Sequence, residues 1–295
     1  AAVGALRRGE VQVIDRLPPL WAAKAERDLG VTKVRYRFPS QHFLIPNHER
    51  PLMRERGVRR AICYAIAREA ILKQDLLGGQ TLEGCGVLTG PFTIGSSADD
   101  PVAYAQNPEV VPRPYDHSLA ITLYAVAQQK FEPTEPPDES DDDHGWTPLK
   151  VVYPDDPAIE SMVTTIARYL VAAGIPCEYR PLPPGTGRPE GDWDLWYVDV
   201  TMAEPITDIN WLIGDQGLAR GASPYLQRAL HELAVVTRWT DAREILQDIH
   251  RLVDAELVVI PLWQLTDFLV HRPTLQGVSR EPATLYQDVE AWRLN

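Results

Sequence analysis

Between Leu149 and Val200 the hydrophobic pattern changes period twice, and that alternation limits the folds open to the chain. Leu149 to Tyr153 is a short apolar run with strand character. Ala158 to Ala173 then places Ile159, Met162, Val163, Ile166 and Leu170 on one helical face, with Gly174 as the stop. Ile175 to Leu182 and Asp194 to Val200 read as two further strands. A strand, a helix and a returning strand make a parallel unit, which needs a crossover helix lying on a sheet face. Further on, Ser223-Pro224 reads as an N-cap followed by Pro at the first helical position, opening a helix with Leu226, Leu230 and Leu233. Asp241 with Glu244 predicts a capping box for a helix burying Ile245, Leu246, Ile249, Leu252 and Val253. Val258 to Trp263 predicts a buried strand. The fold class expected is α/β, a mixed sheet flanked by helices.

The first half is less regular. Ala5 to Val13 reads as a helix end, a Gly stop and a short strand. Trp21 to Leu29 reads as a short helix ended at Gly30, and Val31 to Phe38 as a half-exposed strand. Arg50 to Gly79 carries Val58, Ala61, Ile62, Ala65, Ile66 and Leu72 as one stripe, with Arg59, Arg60, Arg68 and Lys73 outside it. Pro51 and Gly78-Gly79 mark the ends of this amphipathic helix. Gln80 to Pro114 is rich in Gly and Pro, and a helix from about His117 to Lys130 carries Leu119, Leu123 and Val126. Glu132 to Asp143 is acidic, contains three prolines and has no apolar stripe, so a solvated loop is expected whose deletion costs little stability. A cation site at Asp141, Asp142, Asp143 and His144 lacks the Gly turn and bidentate Glu of a calcium loop.

Composition removes several functions. The chain has 295 residues and a net charge of −12, without a basic patch to neutralise phosphates or anionic lipid, so no nucleic-acid partner is expected. No apolar run is long enough to span a membrane. The start has neither Met nor a charged region followed by an apolar core, so no signal peptide is expected within it; a processed product or an excised piece fits. Cys63, Cys85 and Cys177 lack metal spacing; free thiols are expected, with a Cys85–Cys177 bridge as the alternative. There is no GxGxxG, Walker loop, HExxH or GxSxG, and Ser96 and Ser97 lack a strand–Ser–helix context. The histidines, including His42, His48, His231 and His250, are scattered. Asp155-Asp156 reads as the cap of the next helix, and Trp193 and Trp196 read as core aromatics with a ligand wall as the alternative. No enzyme, cofactor or metal is expected.

The order of residues resembles a known family. An Asn and a Pro, then V-R-R-A-I-x-Y-A-I-x-R-E-x-I from Val58 and a double Gly, is similar to a signature segment of the family 5 extracellular solute-binding proteins of ABC importers. That class binds dipeptides, oligopeptides and nickel complexes. Ala5-Leu6-Arg7-Arg8-Gly9-Glu10, Tyr115-Asp116, Ile260-Pro261-Leu262-Trp263 and Leu275-Gln276-Gly277-Val278 follow in the family's order. Gln12 and His117 depart from it, standing where the family has Asp and Pro.

The resemblance implies a type II periplasmic-binding-protein-like fold: residues 1–46 the end of a first lobe, 47–263 a second lobe, 264–295 the return. Asn47 and Leu262 to Gln264 are then expected side by side at the crossover. It implies a peptide or other small solute held between lobes, an ABC transporter permease as partner, and a periplasmic or extracytoplasmic location with anchoring upstream. Sensing or protein interaction without transport is the alternative. Asp199 is the residue the resemblance assigns to a peptide's amino terminus, with Glu204, before Pro205, as runner-up; Trp196 and Asn47 complete the expected ligand-binding set.

Overall fold

A computed structural model describes residues 2–95, 101–130 and 147–295. The acidic loop, the Asp141–His144 group and Ser96-Ser97 lie outside the described residues. The chain opens with α1 (Ala2–Arg8), β1 (Val13–Leu17), α2 (Pro19–Leu29) and β2 (Thr32–Arg35), followed by β3 (Ser40–Pro46). Three short helices come next, α3 (Pro51–Arg54), α4 (Arg56–Ala65) and α5 (Arg68–Ala70), then a π-helical turn (Ile71–Leu76), β4 (Gly86–Val87) and α6 (His117–Gln128). The expected alternation follows as β5 (Leu149–Pro154), α7 (Pro157–Ala172), β6 (Cys177–Leu182) and β7 (Leu195–Val200). The remainder is α8 (Pro205–Ile213), α9 (Pro224–Val235), α10 (Trp239–Glu256), β8 (Ile260–Leu265), β9 (Phe268–His271) and a terminal pair, β10 (Leu275–Gln276) with β11 (Arg293–Leu294).

Among the described residues there are two main sheets. The larger runs β4-β8-β3-β7-β5-β6; the smaller runs β1-β9-β2. β5 is parallel to β6 and β7, while β3 is antiparallel to β7 and β8, so the large sheet is mixed. Side chains alternate along β7 as a pleated strand demands. Leu195 and Tyr197 join the core under α4, α6 and α7, and Trp196, Val198 and Val200 join the core under α8, α9 and α10. A separate small core of Leu6, Ile14, Ala22, Ala25, Phe268 and Val270 belongs to the three-stranded sheet. The chain passes between the sheets at Tyr36–Ser40 and returns at Leu265–Phe268, and the Tyr36 N–H donates to the Asp267 carbonyl at 3.0 Å. The boundaries expected at 46/47 and 263/264 therefore fall at the end of β3 and inside β8, both central strands of the large sheet. Those two strands do lie side by side. Asn47, however, is at the end of β3 away from Gln264, which pairs with Gln41.

Three local expectations change. Arg50–Gly79 is broken rather than one helix. Glu55 is extended and caps the Gly57 N–H at 3.3 Å, and Ile66 is extended too. The breaks serve the two arginines. Arg59 turns inward, donating to the carbonyls of Met53 (2.7 Å), Arg54 (2.8 Å) and Glu256 (2.7 Å), where a cation suits the C-terminus of α10. Burial pushes its pKa down to about 10, against the pull of Glu256. Arg68, buried at 3% exposure, donates to the carbonyls of Leu88 (3.2 Å), Pro261 (2.7 Å) and Arg113 (2.7 Å). In α6 the buried face is Ala120, Tyr124 and Ala127, while Val126 is exposed. The small alanines let α4 come close, which a Leu119–Val126 face would not. α10 starts at Trp239, so Asp241 sits inside its first turn, paired with Arg238 at 2.7 Å instead of capping. All three cysteines are free thiols.

Replacing Arg68 removes a shared donor from two buried carbonyls and a part-buried one at once. Arg68→Met is expected to lower stability by roughly 2–4 kcal/mol, while Arg228→Met, on an exposed helix face, leaves the urea midpoint in place. Equal midpoints for the two variants in urea denaturation would contradict this account of Arg68.

Candidate functional site

The candidate site is a cavity between the two sheets. It holds about 510 Å³ and is bounded by β1 and the start of α2 on one side, and by β3, β7 and the first turn of α7 on the other. Pro18, Trp21, Ala158, Ile159 and Met162 make its apolar wall. Asp15, Asp156, Asp199 and Asp267 contribute four carboxylates against one guanidinium, Arg16. The Asp156 carboxylate caps α7, accepting from the Ala158 N–H at 2.8 Å, as its sequence position implied. Asp15 accepts the Tyr36 hydroxyl. Asp267 sits in the crossover itself at 4% exposure, with Arg16 at 3.9 Å. Burial pushes its carboxyl up to about 7; the Ser40 hydroxyl and Arg16 hold it down, and Asp199 and Asp15 push it further up.

His42 lies directly across the β3–β7 ladder from Asp199. Its ring bonds Ser40 Oγ at 2.9 Å and Tyr197 Oη at 2.7 Å. Burial lowers its pKa to about 4, opposed by Asp199, so the ring is neutral at neutral pH. The site thus has a net excess of carboxylate, one of which is uncommitted. Among the described residues the Asp199 carboxylate makes no hydrogen bond, and it is exposed at the cavity wall.

The four residues expected to bind ligand do not meet. Only Asp199 lines the cavity. Trp196 is on the other face of β7, buried edge-on against Trp193 with ring centroids 6.4 Å apart. Glu204 is the N-cap of α8, accepting the Ile206 N–H at 3.3 Å and the Tyr104 hydroxyl. Asn47 forms a turn, donating from Nδ2 to the Trp193 carbonyl at 2.9 Å. Asp15, Arg16 and Asp267, outside the expected set, also line the cavity. Thr266-Asp267 carried a signal, since two polar residues abruptly end an apolar strand; nothing marked Asp15-Arg16 within a short strand. Among the described residues no group of three His, Cys, Asp or Glu side chains could hold a metal ion, and no helix is long and apolar enough to cross a membrane.

The raised Asp267 has a sign that can be checked. Its folded pKa lies above the unfolded carboxyl value of about 4, so between about pH 4 and 7 the folded state holds a proton that the unfolded state has lost. Its contribution is therefore lost as pH rises through that window. Asp267→Asn should gain urea stability relative to wild type on going from about pH 4.5 to about pH 7.5. A difference that stays constant with pH would refute the shifted carboxyl.

Comparison with known proteins sets this arrangement in context. No match was found among curated protein sequences. Solved structures match over almost the whole chain. The oligopeptide-binding protein AppA from Bacillus subtilis, in complex with a nonapeptide, is 16% identical with a TM-score of 0.78, covering 100% of this chain and 58% of its own. NikZ from Campylobacter jejuni, in complex with Ni(L-His), is 16% identical with a TM-score of 0.78, covering 99% and 59%. The periplasmic binding protein DppA from Helicobacter pylori, in complex with peptide STSA, is 15% identical with a TM-score of 0.76, covering 99% and 54%. At such identity the likeness shows the fold, that of type II periplasmic binding proteins, and this chain spans less than three fifths of their length. The family model for the middle region of the bacterial extracellular solute-binding proteins, family 5, matches residues 1–213, and the chain belongs to that family.

Proposed function

We propose that the chain is part of the substrate-binding component of an ABC-type importer, working outside the cytoplasm and delivering its solute to a permease. The solute is a peptide, or a similar small molecule with a cationic head, held between two lobes. The first lobe supplies both ends of the chain, and the second supplies the large sheet, with the changeovers at Tyr36–Ser40 and Leu265–Phe268. The observation that carries this reading is Asp199: a cavity-facing carboxylate without a partner among the described residues, in a wall that already has excess negative charge. A desolvated ammonium needs such a counter-charge, and the apolar wall of Trp21, Ile159 and Met162 suits the side chain beside it. The peptides bound by AppA and DppA support a peptide as solute.

The test is calorimetry with trialanine and N-acetyl-trialanine, on the longest natural chain that contains this sequence. Asp199→Asn should weaken trialanine by roughly 2–5 kcal/mol and leave the acetylated peptide nearly unchanged. Equal weakening of both peptides, or of neither, would remove Asp199 from the site.

A further inference from the structure

β1 is not a regular strand. Its pairing with β9 slips between Ile14 and Leu17, and Arg16 sits in that irregularity with φ of +42°, a left-handed conformation that costs an L-residue energy. The bulge turns Arg16 into the cavity. There Nη1 donates to Thr201 Oγ1 at 3.1 Å, just past the end of β7, and lies 3.9 Å from Asp267 Oδ2. The guanidinium also lies 4.7 Å from the centroid of the Tyr36 ring, which fixes its approach. Among the described residues this is the side-chain hydrogen bond that joins β1 to the large sheet. The other polar links between the two parts are at Glu83, reached by Arg35 at 3.4 Å and by Thr266 at 2.9 Å, and at Cys85, whose sulfur accepts the Thr266 N–H at 3.2 Å.

We propose that Arg16 is the positioning residue of the cavity, tying β1 to the end of β7 while placing a cation beside the crossover carboxylate Asp267, so that the separation of the two walls and the charge between them both depend on one side chain. The proposal rests on the solute-binding reading for its purpose, but not for its test. A backbone strained at the residue that ties β1 to the large sheet is what a preorganised position requires: relaxing the bulge would withdraw the guanidinium from both partners together. The groups facing Asp267 are few. Among the described residues Asp15 and Arg16 face it from β1, Asp199 and Tyr197 from β7, Ser40 and neutral His42 from β3, Tyr36 from the first crossover segment, and the Cys85 thiol from just before β4. Arg16 is the cation among them, so its loss leaves Asp267 among like charges and burial.

Two ligand-free measurements on this chain test the proposal. The carboxyl carbon of Asp267 is followed by NMR through a pH titration, its signal identified by its absence in Asp267→Asn. Arg16→Gln should raise the Asp267 midpoint by about one pH unit or more, and Arg16→Lys should restore most of the difference. Thr201→Val keeps the charge and cuts only the tie. It should leave that midpoint where it is and speed amide exchange in β1 by about tenfold. An unchanged Asp267 midpoint in Arg16→Gln, or wild-type exchange of β1 in Thr201→Val, would overturn the proposal. If Arg16→Gln fails to fold, Thr201→Val and Arg16→Lys still decide it: a Lys variant with Asp267 at its wild-type midpoint and a Val variant with fast β1 exchange uphold it, and slow exchange ends it. Because no solute is involved, either result is independent of how trialanine binds.

Discussion

Everything in the molecule hangs on the position of β3. This strand is buried along all seven residues and is hydrogen-bonded on both edges, to β7 and to β8. A strand paired on both sides and packed on both faces has one register, because a slip by one residue would exchange every core-facing side chain with its neighbour. That register sets His42 opposite Asp199 on one side and opposite Trp263 on the other. It also sets where the two sheets meet, since β3 begins where the first crossover ends and β8 ends where the return begins. The cavity is thus a consequence of the ladder: its large-sheet wall is the end of β3 and β7, and Asp267 is the residue at which the return leaves that sheet.

So ordered a centre leaves irregular backbone around it, and the chain satisfies that backbone with buried polar side chains. Arg59 serves carbonyls at the C-terminal ends of α3 and α10, and Arg68 serves carbonyls in β8 and in the loops at Leu88 and Arg113. Gln264, fully buried, accepts from Thr93 Oγ1 at 2.6 Å and donates to the carbonyls of Gly84 and Gly95, pinning the segments on both sides of β4. His250 does the same for the next segment. It accepts the Asn107 N–H at Nδ1, 2.9 Å, which leaves Nε2 to carry the proton toward Thr89 Oγ1 at 3.0 Å. Burial lowers its pKa to about 4, so the neutral tautomer that this geometry needs is the one present at neutral pH. Outside β4, the described part of the Gly- and Pro-rich stretch after Gly79 is thereby held to the core by single side chains from distant elements.

This division explains what could be read in advance. β5, α7, β6 and β7 were legible because each repeats its own period over several residues, and Ser223 and Asp156 because a cap is a local interaction. The helix breaks at Glu55 and Ile66 were not, since their cause is distant: carbonyls on α10, on β8 and beyond β4 that the two arginines turn inward to meet. Arginines outside an apolar stripe ordinarily read as solvated. The site divides in the same way. Asp199, which the family motif points to, is placed on the cavity wall by the β3–β7 ladder. Trp196 lies away from the cavity because one position along a strand is the opposite face, and Glu204 because a carboxylate before Pro is also the commonest kind of helix cap. Arg16 and Asp267 lie 251 positions apart and come together only through the β1–β9 pairing.

The charge of the cavity follows from where its carboxylates can be solvated. Each of the four is tethered differently: Asp156 by backbone N–H groups, Asp15 by a phenol, Asp267 by the Arg16 guanidinium at 3.9 Å, Asp199 by nothing among the described residues. The first two have their charge met by fixed donors and gain little from a cation. Asp267 is buried deeply enough that it prefers a proton near neutrality. Asp199 faces the open volume, so a cation arriving there displaces water and loses no protein partner. That ordering selects Asp199 as the place where positive charge gains most, and Arg16, already placed between Asp267 and Thr201, confines the gain to that side of the cavity.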